Sequence, residues 1–534
     1  MNKMIIVGAV LVIALISISL FVVIFPESHN KSADSLVVSI WAYGGEPNSL
    51  DPLDGWNLEQ EPLIQSTLFK RDHDMKLVND LAERYTVSDD GKTYTVNIKE
   101  GVKFHDGSNL TADDVVFTYD KAIKSGSSSA DFSNVINETR AVNDTTVEFV
   151  LNQVDSTFLS KLTMLGIVPK NAYSNETYAT NPIGSGPFKF VQWDKGQQII
   201  LERNDDYYGK KPNFKKLTIL YLQGEAALSS ASKGEVDIAE IPAEFANRTI
   251  NGMHIQQYQS VDPRGIALPT VPNTGEKTSK GVAIGNNVTA NLAIRKALNY
   301  GINRDDIVKD VFYGYATKTY DGVSTLLPWS NSNTSIKDGD VDKAKEILHE
   351  DGWSDSDGDG IVEKNGLKAE FDLIYLASDS QRQGLAVTVS EQAKKFGVDI
   401  NPQGKSWDEI SNFKYSNGVI LGYGSRDPGE LKLDYYGKLA GKSNIVSYNN
   451  PTVNNHIDSA TSAKDEKDSY PIWRSVLWDG QTGISPQGDA PWIWIACKDY
   501  TYAIKNNLDV SQGTATVPAH GGDIFGNIYD WRRT

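Results

Sequence analysis

The sequence predicts an α/β protein built as more than one lobe behind an N-terminal membrane helix. Three observations carry that reading. Beyond residue 370, strand-like and helix-like segments alternate: strand 371–377, helix 381–396, strand 398–402, a helix near 406–412, strand 418–423. Such alternation makes a partly parallel sheet with helices on its faces. The 534 residues exceed what one core supports, at roughly 150 residues per domain. Finally, Ile5 to Phe25 is an uncharged run, broken only by Gly8, Ser17 and Ser19 and closed by Pro26. About 20 apolar residues are enough to cross a bilayer as a helix.

That run outlasts the apolar core of a cleavable signal, roughly 7–15 residues, and Pro26, Glu27, Ser28 and His29 make a poor cleavage site. Lys3 before the run sets the N-terminus in the cytoplasm. The expectation is a retained signal-anchor over 1–25, a polar stalk over 26–35 and a body outside the cytoplasm, anchored to the cell membrane. Eight Asn-x-Ser/Thr sequons fit an exposed surface but are weak signals in an Asn-rich chain.

Elements follow from local pattern. Residues 36–43 (LVVSIWAY) form an apolar strand that runs into Gly44-Gly45. Residues 83–98 read as a hairpin turning at Asp90-Gly91, with Tyr94, Val96 and Ile98 alternating onto one buried face. Thr111-Ala-Asp-Asp114 opens a helix as a capping box with Asp in place of Glu. Residues 291–300 give a second amphipathic helix.

Composition removes whole classes of function. Asp+Glu at 69 against Lys+Arg at 52 leaves −17, a charge that repels phosphate backbones, so nucleic-acid binding is not expected. The single Cys497 excludes an internal disulfide, a multi-Cys zinc site and an iron–sulfur cluster. No nucleophile elbow is present. Gly437 to Ser443 is one residue short of a phosphate loop. The seven histidines are scattered, with no pair at i, i+4. No enzyme motif survives. One acidic loop has ligand spacing: Asp355, Asp357, Asp359, Ile361 and Glu363 match alternate positions of a calcium loop, but the closing position is Gly366. A structural calcium completed by a carboxylate such as Glu370 and a plain acidic turn both remain open; no other cofactor is expected.

Residues 81–117 (LAERYTVSDDGKTYTVNIKEGVKFHDGSNLTADDVVF) closely resemble the signature of extracellular solute-binding proteins of the peptide/nickel type, the receptors of ABC importers. Ser49-Leu50-Asp51-Pro52, 184–188 (GSGPF), Arg203 to Tyr208, Gly234 to Asp237, Ile294 to Ala297, Asn303-Arg304 and Gly352-Trp353 extend the resemblance over nearly the whole body. It implies a two-lobed, periplasmic-binding-protein-like (type II) fold with two crossing strands and an extra subdomain on lobe one. Lobe one would take 36–265 plus 495–534, its subdomain about 63–180, and lobe two 266–494.

By the same resemblance the protein is not an enzyme. It is a receptor, expected as a monomer, delivering a small peptide or peptide-like solute to permease and ATPase subunits. The alternatives are nickel or another metal as an anionic chelate and, less favoured, a signalling or adhesion role. In peptide-binding members an Asp shortly before an acidic-Pro pair holds the peptide's amine. With Asp427-Pro428 aligned, that position falls on glycine or serine, and Arg426 follows. An arginine favours an anionic group. The expected solute-binding residues are Tyr43 and Trp56 in lobe one, with Trp407, Tyr423, Arg426 and Asp427 in lobe two, on the edge where open α/β sheets bind ligands.

Overall fold

Two large sheets, each with its own core, dominate the computed structural model, which describes residues 33–40, 46–55, 62–125, 132–424, 426–514, 517–519 and 524–534. The first sheet has seven strands. Ser35–Ser39 lies at its middle, parallel to Lys216–Leu220 on one side and Ile238–Glu240 on the other. Leu36, Val38, Ile199, Leu201, Ile238 and Tyr502 form part of the core beneath it. The second sheet has six strands. Glu370–Leu376 pairs parallel with both Asp399–Lys405 and Gly418–Leu421, as the alternating pattern predicts. Helices Leu292–Gly301 and Ser380–Lys394 cover it through Ile294, Leu298, Leu385 and Val389.

The chain passes between the sheets twice. Strand Met253–Tyr258 of the first sheet leads into Pro263–Ala267 of the second, and Trp492–Lys498 of the second leads through Asp499 into Tyr500–Lys505 of the first. A buried charge cluster ties these crossings together. Arg264 grips both oxygens of the fully buried Asp262, and the Tyr500 hydroxyl donates to Asp262 Oδ2 at 2.6 Å. A bidentate arginine on a buried carboxylate keeps the charges matched where water cannot help.

A third unit hangs on the first lobe. Its four antiparallel strands run in the order Ala82–Val87, Thr93–Ile98, Thr146–Leu151, Ile136–Asn143, with helix Ala112–Ser125 packed on them. Tyr94, Val96 and Ile98 are buried as their alternation requires, and Gly91 takes the turn at φ 70°. The capping box closes on one side only. Asp114 accepts from the Thr111 N–H at 2.8 Å, but the Thr111 hydroxyl also turns to that carboxylate instead of capping the backbone. The shorter aspartate brings its oxygens within reach of the hydroxyl.

The signature residues hold this unit to its lobe. Gly184 N–H donates to His105 Nδ1 at 3.2 Å, and His105 Nε2 lies 3.1 Å from the Gly186 carbonyl, which also accepts from the buried Asn204 amide at 3.0 Å. One ring nitrogen must accept while the other donates, so the imidazole is neutral; burial pushes its pKa down to about 4. A side chain on Gly184 would collide with the Ile64 carbonyl, so only glycine allows the two segments to lie in contact.

No helix among the described residues is long and apolar enough to cross a membrane. The run Ile5 to Phe25 lies outside those residues.

Candidate functional site

The subdomain reaches across to the second lobe through residues 155–161. Lys161 Nζ stands 3.3 Å from Asp155 Oδ2 in its own unit and 3.3 Å from Asp427 Oδ2 in the other lobe. Beside it, Arg71 pairs with Glu466 at 2.7 Å, and the Ser160 hydroxyl donates to the same carboxylate. Ser156 donates its N–H to Thr461 O and its hydroxyl to Ala460 O, both at 2.8 Å. The three charges are not shared evenly. Burial works against the Asp155 carboxylate, yet Lys161 and the Thr157 hydrogen bonds overcome it and hold that group below its usual range. Burial raises Asp427, and Lys161 offsets this only in part.

Asp427 also borders a small cavity of about 20 Å³ inside the second lobe, room for about one water-sized group. Its acidic lining is Asp321, Asp427, Glu430 and Asp434, and its walls include Tyr423 and Trp494. Helix Glu430–Tyr435 places Glu430 and Asp434 one turn apart, on the same face. Tyr435 and Leu431 of that helix are buried in the lobe's core, which fixes the face that meets the cavity. Gly322, at φ 81°, lies against the Trp494 ring where a side chain would collide with it. Trp494 stacks on Trp492 with ring centroids 4.4 Å apart and donates its N–H to the Tyr435 hydroxyl at 3.0 Å.

The sequence-predicted residues are placed as follows. Tyr43 and Trp56 lie outside the described residues. Tyr423 and Asp427 meet at the cavity, with Tyr423 also edge-on to Trp492. Arg426 is buried and donates from Nη2 to the Val517 carbonyl at 2.7 Å. Trp407 is half exposed at the start of helix Trp407–Phe413, its ring beneath the Arg382 guanidinium. Reasoning from sequence missed Lys161, Asp155, Asp321, Glu430 and Asp434. Only Glu430 and Asp434 left a readable trace: two like charges at i, i+4 beside buried apolar positions, a pair that destabilises a helix unless something uses it.

In the acidic loop, Asp355, Asp357 and Glu363 bring carboxylate oxygens within 4.8 Å of one another. Asp359 accepts the Ile361 N–H at 2.9 Å, and Lys368 bridges Asp357 and Asp359. Hard oxygen donors of this kind suit calcium, while the Lys368 ammonium already neutralises part of the set.

Two α/β lobes joined by two crossings and meeting through ion pairs have the architecture of a solute-binding protein. The chain belongs to the bacterial extracellular solute-binding proteins, family 5, whose middle-region pattern matches residues 76–436. It is 31% identical over 472 residues to the oligopeptide-binding protein AppA of Bacillus subtilis, covering 82% of each chain. The solved structure of that AppA with a nonapeptide matches with a TM-score of 0.73 and 27% identity, over 94% of this chain and 99% of the other. The nickel-binding periplasmic protein of Escherichia coli is 25% identical over 366 residues, 66% of this chain and 67% of the relative.

Proposed function

We propose that this protein is an extracytoplasmic receptor that captures a peptide or peptide-like solute between its lobes and delivers it to the permease and ATPase subunits of an ABC importer. The observation that carries the peptide reading is the 31% identity to an oligopeptide-binding protein across 82% of both chains. Binding needs no covalent step: the open and closed lobes are two populations, and the solute shifts them by its higher affinity for the closed one. The apolar run Ile5 to Phe25 is proposed to tether the receptor to the membrane beside its permease.

The test is native mass spectrometry of the solute that co-purifies with the full chain, followed by titration with that solute. A peptide that binds again after removal supports the reading. Recovery of a nickel chelate in its place, with no peptide affinity, transfers the protein to the metal-chelate alternative. Cleavage of the peptide during incubation would make the protein an enzyme and overturn the receptor assignment.

A further inference from the structure

Seven of the Asn-x-Ser/Thr motifs fall within the described residues, at Asn109, Asn137, Asn143, Asn175, Asn247, Asn287 and Asn333. All seven asparagines are exposed. Exposure is not general for this residue type here, because Asn204, Asn299, Asn444 and Asn527 are buried, and none of those four carries the motif.

The motif amides are also held in one sense. Lys103 donates to Asn109 Oδ1 at 2.7 Å, Lys121 to Asn175 Oδ1 at 2.9 Å, and the Tyr315 hydroxyl to Asn247 Oδ1 at 3.2 Å. The Thr145 and Asn273 N–H groups do the same for Asn143 and Asn287, each at 3.0 Å. Five carbonyl ends are thus engaged, while none of the seven Nδ2 groups donates a hydrogen bond among the described residues. Exposed asparagines outside the motif behave differently: Asn79, Asn152, Asn213 and Asn401 all donate through Nδ2. The hydroxyl two positions on divides the set further. Thr111, Thr139 and Thr145 donate theirs to Asp114, Asp120 and Asn143, and Thr289 donates to the Pro269 carbonyl at 2.8 Å. Thr177, Thr249 and Ser335 are exposed, and their hydroxyls make no hydrogen bond among the described residues.

We propose that Asn175, Asn247 and Asn333 are N-glycosylation sites, selected from the seven motifs by the fold. The motif works through two groups: the amide nitrogen takes the sugar, and the transferring enzyme reads the hydroxyl. A hydroxyl has one proton to donate, so one already given to the chain's own carboxylate, amide or carbonyl is not offered to an enzyme. In the transfer, Nδ2 bonds to the anomeric carbon of a lipid-linked oligosaccharide. The bond from that carbon to the lipid's phosphate breaks, the phosphate leaves with the electron pair, and one amide proton passes to base. Asn175 lies beside Tyr173 and Tyr178, which pack on the core of the third unit. Asn247 lies between strands Ile238–Glu240 and Met253–Tyr258 of the first sheet, and Asn333 in the turn Ser332–Thr334 of the second lobe. Each unit then carries one bulky, solubilising glycan, which suits a member of an extracellular family.

The test uses the full chain purified from cells that make it naturally, digested and read by tandem mass spectrometry of the peptides around each motif. Added sugar mass is expected on the peptides containing Asn175, Asn247 and Asn333, and its absence from all three overturns the proposal. An unmodified peptide at one of them strikes that position. Equal modification of Asn137 and Asn287, whose threonine hydroxyls are already engaged, overturns selection by the fold. In the same cells Thr177→Ala should remove the sugar from Asn175 as completely as Asn175→Gln does, whereas Thr177→Ser should keep it. Loss in Thr177→Ser equal to that in Thr177→Ala would show that the hydroxyl is not what is read, and would overturn the assignment of Asn175. All three substitutions lie on the surface and should leave the melting temperature unchanged.

Discussion

The turn at Gly184–Phe188 and the cavity around Asp434 both bury polar groups, and they handle them in opposite ways. At the turn, the ring and the amide of the cluster find partners, although the buried Ser185 hydroxyl does not: His105 accepts from one backbone N–H and faces one carbonyl, and the Asn204 amide donates to the same carbonyl. At the cavity, three acids are satisfied and the fourth is left open to the interior space. A satisfied polar group contributes to the fold; an unsatisfied one carries an uncompensated desolvation cost. The residues most recognisable in the sequence belong to the first kind.

The largest expected effect breaks the contact between lobes. Lys161→Met leaves Asp155 and Asp427 facing each other in a buried contact without their cation, at a cost of about 3–5 kcal/mol. Small-angle scattering should show a larger radius of gyration in the solute-free variant; an unchanged radius would mean the ion pairs do not hold the lobes together. Next, Gly184→Ala forces a methyl group into the Ile64 carbonyl and should cost about 3 kcal/mol. Its melting temperature is the readout, and a shift under 2 °C would show that the turn can move away.

The His105 network also carries a pH signature. The folded pKa is about 4, against about 6.5 in an unfolded chain, so the unfolded state takes up the proton first as pH falls. Stability from this group is complete above about pH 6.5 and is lost down to about pH 4, to a total of about 3 kcal/mol. Urea titrations across that window should reveal the slope, and His105→Gln, which keeps one donor and one acceptor, should flatten it. The cavity predicts a smaller contrast. Asp321→Ala removes an acceptor from three donors and should cost about 2 kcal/mol. Asp434→Asn, which strips no donor, should leave stability unchanged or raise it by about 1 kcal/mol. Equal losses in the two variants would erase the difference between a satisfied and an open acid.

The smallest effect concerns the acidic loop. If the Asp355, Asp357 and Glu363 cluster holds a structural calcium, chelator should lower the melting temperature by a few degrees without changing solute affinity. No shift would leave the loop as a turn neutralised by Lys368.

The sequence by itself determined whatever depends on neighbours a few residues away. The hairpin at Asp90-Gly91, the helix after Thr111 and the parallel strands beyond 370 all follow from periodicity and turn chemistry, forces that act along the chain. The signature motifs were legible for the same reason, although what they do, joining His105 to Gly184 across 79 positions, was not. Among the site residues, Asp427 could be named as half of a recognisable Asp-Pro pair and Tyr423 because it lies just before it. Only the tertiary structure decided that Lys161 of one lobe meets Asp427 of the other, and that segments near 321, 430 and 494 enclose one cavity. Local turns satisfy Asp321 and Glu430, but the cation beside Asp427 comes from 266 positions away, and no pattern along the chain records that.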